Sequence, residues 1–453
     1  MTRFFLAALH VVITHVTVID AAGRSSKPDM SVEIRGDRIA RIEPSSEAAI
    51  PSHARVIDGT RKFLIPGLWD MHVHTFFGDW VPGGREVTLP LLLAFGVTGA
   101  RDMGSDLDPI LEARREAAAG RILSPRLVVS GPMLDGPRSP FPASISVATA
   151  DDARRAVAKL ADAGVDFIKV QSYIGRDAYF AAARECAKRN IAFVGHVPDA
   201  IHASEAVAFG QTSFEHLIGV FEGSSTAEDA MVAGGKKGPG RFLETYDAKK
   251  EAALAAVLAK DVTYQCPTLF WERGQWLIEE AAIDPSRDPD LRYAPVSWRT
   301  KSWPKFKKGI VEELDTDPLA VREKFVLHEL GVVKRLHEAG VPFLAGTDTP
   351  AGVGVLPGAS LHRELERFVA AGFTPLEALQ TATRNPAIFL GKLADFGTVT
   401  EGKVADLVLL DANPLDDIRN TRRIAAVVAG GRLYTRADLD RILANVEEYA
   451  RRH

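Results

Sequence analysis

Short apolar segments alternate with helical patterns of about ten to twenty residues through most of this chain. That alternation is typical of repeated βα units and of a parallel sheet. Helices are predicted between the strands, for example over 151–163, 176–189, 202–209 and 321–339. The predicted strands end near His74, Arg101, Ser130, Val170, His196, His216, Cys266 and Thr347. Eight such units predict an α/β fold, a (β/α)8 TIM barrel, whose active site lies at the carboxyl ends of the strands.

Both ends of the chain have a different pattern, that of short antiparallel strands. Alternating segments at 31–34 and 38–42 flank a turn, and strand-like segments recur at 56–58, 404–410 and 424–428. Neither end can bury a core alone, so we expect the two ends to pair in one composite β-sandwich domain. The predicted division is 1–64 and 396–453 for this domain, including a terminal helix over 436–451, and 65–395 for the barrel.

Histidines, a lysine and an aspartate stand where predicted strands end. His72 and His74 lie two residues apart in a strand, so both side chains point to the same face and can bind one ion together. The other strand-end residues of this kind are Lys169, His196, His216 and Asp348. Each alone has an ordinary explanation, such as a packed histidine or a helix-capping aspartate. Together they converge on one rim of one barrel, which indicates a metal site.

These residues and their neighbours resemble the amidohydrolase superfamily. The similarity includes Gly195-His196-Val197-Pro198, Glu215-His216-Leu217, Gly346-Thr347-Asp348-Thr349-Pro350 and Gly402-Lys403-Val404-Ala405-Asp406-Leu407-Val408. It resembles most the branch of imidazolonepropionase-like proteins, metal-dependent Xaa-Pro dipeptidases and ochratoxin-type amidases. The resemblance implies the barrel, the composite β domain and a metal centre held by His72, His74, Lys169, His196, His216 and Asp348.

The resemblance also implies how these residues share the metal. In relatives with such a lysine, carbon dioxide N-carboxylates the amine, and the new carboxylate bridges two divalent ions. We therefore expect two ions, Zn²⁺ fitting this donor set, with a carboxylated Lys169 between them. His72, His74 and Asp348 would bind the more buried ion, and His196 and His216 the outer one.

The implied activity is hydrolysis of an amide C–N bond by metal-activated hydroxide, with Asp348 as ligand and proton acceptor. The expected substrate is peptide-like: an Xaa-Pro dipeptide, an N-acyl amino acid or an ochratoxin-like amide. A cyclic-amide hydrolase of imidazolonepropionase type is the enzymatic alternative, and a barrel that binds metal or ligand without turnover is the other.

Two residues could bind a substrate carboxylate: Arg101 at the end of the second strand, and Tyr173 after Lys169. An ion pair for Arg101 and packing for Tyr173 are the structural alternatives. The long segments 220–244 and 267–317 predict functional rim loops. The second is rich in aromatic residues, which could form a lid or simply pack: Phe270, Trp271, Trp276, Trp298 and Trp303.

Composition narrows the partners to small molecules. The 453 residues have a net charge of −4, so there is no basic excess to bind nucleic acid, and no apolar run is long enough to cross a membrane. Cys186 and Cys266 are predicted to be packed thiols. The apolar run from Phe4 continues into a strand-like segment, which favours a soluble cytoplasmic protein, with export from a truncated signal as the alternative. Formation of a homo-oligomer stays open.

Overall fold

The computed structural model describes residues 10–23, 26–314 and 317–453. The strands are β1 (His10–Val18), β2 (Lys27–Arg35), β3 (Arg38–Pro44), β4 (Arg55–Asp58), β5 (Phe63–Pro66), β6 (Leu68–Val73), β7 (Val97–Asp102), β8 (Arg126–Val129), β9 (Met133–Asp135), β10 (Ser144–Ser146), β11 (Phe167–Val170), β12 (Ala192–Gly195), β13 (Gln211–Glu215), β14 (Tyr264–Cys266), β15 (Leu407–Leu410), β16 (Ile424–Ala429) and β17 (Arg432–Thr435).

The α-helices are α1 (Leu89–Ala94), α2 (Leu107–Ala118), α3 (Ala150–Asp162), α4 (Arg176–Arg189), α5 (Ala203–Ala208), α6 (Val220–Gly223), α7 (Glu228–Val232), α8 (Pro239–Thr245), α9 (Ala248–Lys260), α10 (Leu269–Trp276), α11 (Trp303–Leu314), α12 (Leu319–Glu338), α13 (Ala359–Ala370), α14 (Pro375–Thr381), α15 (Arg384–Phe389) and α16 (Arg436–Arg452).

Strands from both chain ends form one eight-stranded sheet. Its order is β17-β16-β15-β5-β1-β2-β3, with β4 paired to β1. β5 joins the two halves, because it pairs parallel with β1 and antiparallel with β15. The side chains of Val11, Val32 and Leu409 meet in one apolar cluster, so the two ends of the chain share a core. The predicted signal-like residues 3–9 lie outside the described residues.

Between the chain ends, parallel strands alternate with helices. They form a three-stranded sheet, β6-β7-β8, and a six-stranded sheet, β10-β9-β11-β12-β13-β14. Four predicted helices correspond to α3, α4, α5 and α12, with ends within two residues of the prediction. β9 and β10 were not predicted, and the long segment 220–244 contains the short helices α6, α7 and α8. In the described part of the chain, no helix has the length and apolar character needed to cross a bilayer.

The predicted eighth strand, which ends near Thr347, is not a regular strand. Its backbone still connects the two parallel sheets: the Leu344 N–H donates to Gln265 in β14, and Ala345 accepts from the Met71 N–H in β6. The Thr347 N–H is shared between the Asp70 carboxylate, at 3.1 Å, and His72 O, at 3.4 Å. A side chain that competes for a backbone hydrogen bond makes the strand ladder irregular at that point.

Candidate metal centre

Histidines from two strand ends surround one carboxylate. His72 Nε2 lies 3.3 Å and His74 Nε2 lies 3.0 Å from Asp348 Oδ1, and His216 Nε2 lies 3.9 Å from Asp348 Oδ2. All four side chains are buried. Ligand atoms of His72, His216 and Asp348 all lie within 4.8 Å of one another, a spacing that could hold a metal ion. The structure thus places together residues that the sequence separates by up to 276 positions.

His196 and Lys169 complete the group. The His196 ring lies edge-on to the His216 ring, with centroids 5.0 Å apart. Lys169 is 1% exposed, and its Nζ has no hydrogen-bond partner within the described residues. Burial lowers the pKa of Lys169 to about 8, although Glu215 and Asp348 act in the opposite direction. A buried amine without a hydrogen-bond partner is costly, so the burial of Lys169 indicates a functional role in this site.

Each histidine is anchored through Nδ1, which turns Nε2 toward the centre. The Nδ1 partners are the Glu215 carboxylate for His72 (3.0 Å), the Gly104 carbonyl for His74 (2.7 Å), the Ser172 hydroxyl for His196 (2.7 Å) and the Thr268 hydroxyl for His216 (2.7 Å). Metal-binding histidines are commonly fixed this way, because a partner on one ring nitrogen sets the tautomer and orients the other.

The electrostatics of the group suit a cation. Burial lowers the pKa of His72 and His196 well below the ordinary value, with Lys169 adding to the effect, and lowers that of His216 to about 4. These imidazoles are therefore neutral at physiological pH. Although burial acts in the opposite direction, His72, His74 and His216 hold the pKa of Asp348 below its usual range. Neutral imidazoles and an ionised carboxylate are the protonation states that bind metal.

Three buried atoms of these residues lack hydrogen-bond partners in the described part of the chain, which is the arrangement expected of a metal site. His72 Nε2, Lys169 Nζ and Asp348 Oδ1 are all buried and unpaired among the described residues. Nδ1 hydrogen bonding leaves the Nε2 lone pair of His74, and that of His72, directed at the Asp348 carboxylate. Converging lone pairs repel one another unless a cation lies between them. The donor set of imidazole nitrogens and carboxylate oxygen matches the preference of Zn²⁺ and similar ions.

Left-handed backbone conformations occur at two of the ligands. His216 has φ 60° and Asp348 has φ 55°, values that non-glycine residues seldom adopt. Hydrogen bonds hold both: the His216 N–H donates to Cys266 O at 3.0 Å, and the Asp348 N–H donates to His72 O at 2.8 Å. Such conformations cost about 1–3 kcal/mol each and cluster at functional sites. Here they turn the side chains off the strand ends toward the centre.

Gly195 leaves space for the Lys169 side chain that a larger residue would fill. Its φ is +128°, and a Cβ there would lie 2.2 Å from Val170 O and 2.8 Å from Lys169 Cδ. We expect Gly195→Ala to lower the free energy of unfolding by several kcal/mol, because overpacking and backbone strain each cost about 1–3 kcal/mol. Gly309→Ala is the control: it lies inside α11 with nothing within 4 Å, and should stabilise by about 0.5–1 kcal/mol. Equal changes in the free energy of unfolding for Gly195→Ala and Gly309→Ala, measured by urea denaturation, would contradict this prediction.

Glu215 and Asp70 are polar residues around the centre that the sequence analysis did not assign. Glu215, in β13, hydrogen-bonds to His72 Nδ1 in β6. The Asp70 carboxylate accepts hydrogen bonds from the Thr347 hydroxyl at 2.7 Å and from the His72 N–H at 3.2 Å. Burial raises the pKa of Asp70 to about 7. Both had a sequence signal: Asp70 shares a strand face with His72 and His74, and Glu215 directly precedes a ligand.

Arg101 lies behind the centre and not at its mouth. It is fully buried, its Nη2 donates to both Glu215 oxygens at 2.9 Å, and its Nε donates to Met71 O at 2.6 Å. Its donors are already engaged, which favours the ion-pair role over contact with substrate. Tyr173 is 44% exposed, and its N–H donates to Asp135. A substrate contact by Tyr173 stays a prediction.

Glu215→Gln is expected to weaken both the fold and the metal site. It leaves the buried Arg101 without its anionic partner, a change that typically costs about 3–5 kcal/mol. It also loosens the anchor of His72, which typically lowers metal affinity about 10–100-fold. Asp162→Asn is the matched control, because it removes an ion pair to Arg189 whose aspartate is 74% exposed. Thermal unfolding and a zinc titration would measure both effects, and wild-type values for Glu215→Gln would show that the anchor is dispensable.

The aromatic residues of segment 267–317 divide into packing residues and one residue beside the centre. Trp298 and Trp303 are fully buried in an apolar cluster with Val446 of α16, and Trp276 packs edge-on against Phe325. Trp271 lies against His216, with ring centroids 4.9 Å apart. Three of the four tryptophans in this segment therefore pack against apolar residues, and Trp271 is the tryptophan of the expected lid that contacts a ligand candidate.

Several known proteins are similar to this chain over most of its length. Ochratoxinase from Aspergillus niger is 25% identical over 86% of this chain and 80% of its own. Imidazolonepropionase from Shouchella clausii is 24% identical over 95% of each chain. A Bifidobacterium longum structure of a candidate prolidase superposes with a TM-score of 0.67 and 26% identity, over 97% of this chain and 99% of its own.

The profile of the Amidohydrolase family matches residues 63–235 and 322–434. These ranges contain every ligand candidate from His72 to Asp348, and they leave out the whole aromatic segment 267–317. The protein therefore belongs to the amidohydrolase family.

Proposed function

We propose that this protein is a hydrolase with two divalent metal ions that cleaves the amide C–N bond of a peptide-like substrate, either an Xaa-Pro dipeptide or an N-acyl amino acid. The observation that carries the proposal is Lys169, buried and unpaired among neutral histidines and an ionised carboxylate. N-carboxylation would exchange its costly amine for a bridging carboxylate. The similarity to ochratoxinase and to the candidate prolidase supports the substrate class.

The proposed architecture is a closed (β/α)8 barrel over 65–395 with a composite β domain from 1–64 and 396–453. Two observations support closure: segment 342–349 hydrogen-bonds to both β14 and β6, and the Asp166 N–H donates to Val129 O at 2.8 Å, between β8 and β11. The Amidohydrolase profile supports the same arrangement.

In the proposed mechanism, bound divalent ions would supply an activated water and polarise the scissile carbonyl. His72, His74 and Asp348 would hold one ion, His196 and His216 the other, and carboxylated Lys169 would bridge them. Asp348, ionised in its surroundings, would accept the proton of the attacking water and deliver it to the leaving nitrogen. The Nδ1 anchors would keep the four imidazoles in place while charge develops.

Metal content and turnover test this proposal together. Protein purified without chelator should contain close to two equivalents of zinc or a similar ion by elemental analysis, and should hydrolyse members of a panel of Xaa-Pro dipeptides and N-acyl amino acids. One equivalent of metal, with hydrolysis only of cyclic amides, would instead support an imidazolonepropionase-type reaction. Metal binding without any hydrolysis would support a binding protein.

A further inference from the structure

Trp271 differs from the other tryptophans of its segment in what it contacts. It is partly buried, yet it is absent from the apolar clusters that the described residues form, whereas Trp276, Trp298 and Trp303 all pack into them. Its ring contacts His216 at 4.9 Å with a tilt of 42°. A large aromatic side chain that packs against a ligand candidate, and not against the core, is placed to contact whatever binds there.

The indole N–H of Trp271 has no acceptor. Nε1 is buried, and no hydrogen-bond partner for it exists within the described residues. The same is true of Nε1 in Trp276 and Trp303, so the contact with His216, and not the unpaired N–H alone, distinguishes Trp271. An unpaired buried donor is costly, and beside His216 a bound substrate could supply the missing acceptor. Tryptophan at a recognition surface usually combines apolar contact with one hydrogen bond from its N–H.

The position of the indole is fixed by the loop after Asp348. A Cβ on Gly352 would lie 2.5 Å from Trp271 Cδ1 and 2.7 Å from Nε1, so only glycine allows this close approach. Trp271 is therefore held between His216 on one side and the loop that carries Asp348 on the other. The indole ring therefore lies at the edge of the proposed metal centre, with Nε1 close to Gly352.

We propose that Trp271 is a specificity-determining residue that contacts the substrate beside His216 and donates its N–H to the substrate's carboxylate. The inference rests on the proposed amide hydrolysis and deepens it: the substrate class would be amides whose amine half is an amino acid with a free carboxylate. Arg101, the cation expected for that role, already pairs with Glu215, so Trp271 would join Tyr173 as a candidate donor to the carboxylate.

The test compares Trp271→Phe, which keeps a ring and removes the N–H, with wild type and with Trp276→Phe. Trp276 lies on the same helix but packs against Phe325, 5.4 Å away, so it is the matched control. For the best substrate of the panel, Trp271→Phe should raise KM about tenfold or more, because a hydrogen bond to a charged group is lost. For the same substrate with its carboxylate converted to a carboxamide the rise should be much smaller, and Trp276→Phe should match wild type for both.

A second variant and a binding measurement complete the test. Gly352→Ala, which would displace the indole without removing it, should raise KM in the same selective way at unchanged zinc content. Binding of N-methylphosphonyl-L-proline to zinc-loaded protein should weaken about tenfold in Trp271→Phe and not in Trp276→Phe. Unchanged KM and binding in Trp271→Phe would overturn the proposal, as would equal losses for carboxylate and carboxamide or a loss of zinc. Selective weakening of the phosphonate without turnover of any panel member would support Trp271 while refuting the proposed function.

Discussion

Replacing Lys169 by alanine is expected to lower the bound metal from two equivalents to one or fewer, and kcat/KM by about 10³-fold or more. The reason is chemical: alanine cannot carry the bridging carboxylate, so neither the two-ion arrangement nor the stabilisation of developing charge survives. The pocket itself should remain, because Lys169 Nζ has no hydrogen-bond partner among the described residues. Elemental analysis and kinetics on the same preparation measure both quantities.

Lys237→Ala is the control for the Lys169 variant. Lys237 is partly buried and, unlike Lys169, it is paired, with Asp199 at 2.9 Å and Glu222 at 3.1 Å. Its loss should lower stability while the metal stoichiometry stays at two. Added acetate or formate should partly restore activity to Lys169→Ala, because a free carboxylate can occupy the space the side chain vacates. Two equivalents of metal and full activity in Lys169→Ala would rule out the carboxylated bridge.

Asp348→Asn should lower kcat about 10²–10⁴-fold, the range that one positioned proton acceptor contributes. Asparagine is nearly isosteric but cannot accept the proton, and its amide is a poorer metal ligand than a carboxylate. Measuring zinc on the same sample separates the two causes. Retained zinc with a lower kcat would assign proton transfer to Asp348, whereas loss of zinc would show that Asp348 acts mainly as a metal ligand. An Asp348→Asn enzyme with wild-type kcat would refute the proposed mechanism.

The sequence predicts elements well where the pattern is local. The helix over 176–189 has the predicted ends, and the hairpin of β2 and β3 forms around Gly36, whose φ of 62° suits the predicted turn. The ligand candidates could be predicted because each lies at the end of an apolar strand, and parallel strands end at the same edge of a sheet.

Other features depend on side chains that are distant in sequence, and no local pattern reveals them. Arg101 meets Glu215 across 114 positions, so a strand-end arginine predicts a charge but not its partner. Asp70 accepts a hydrogen bond from the Thr347 N–H, 277 positions away, where the eighth strand was predicted to end. Trp271 and Trp298 both lie in segment 267–317, and only the packed structure shows that one contacts a histidine and the other the core.

The position of β5 in the chain-end sheet has a consequence for biosynthesis. β5 lies between β1 and β15, and roughly 340 residues separate the end of β5 from the start of β15. At about 5–20 residues per second, a ribosome needs on the order of 20–70 s to supply them. Throughout that interval one edge of β5 lacks its partner strand, and an unpaired edge invites pairing with other nascent chains. Completion of this sheet is therefore among the last events of synthesis, and chaperone binding to this edge would protect the growing chain.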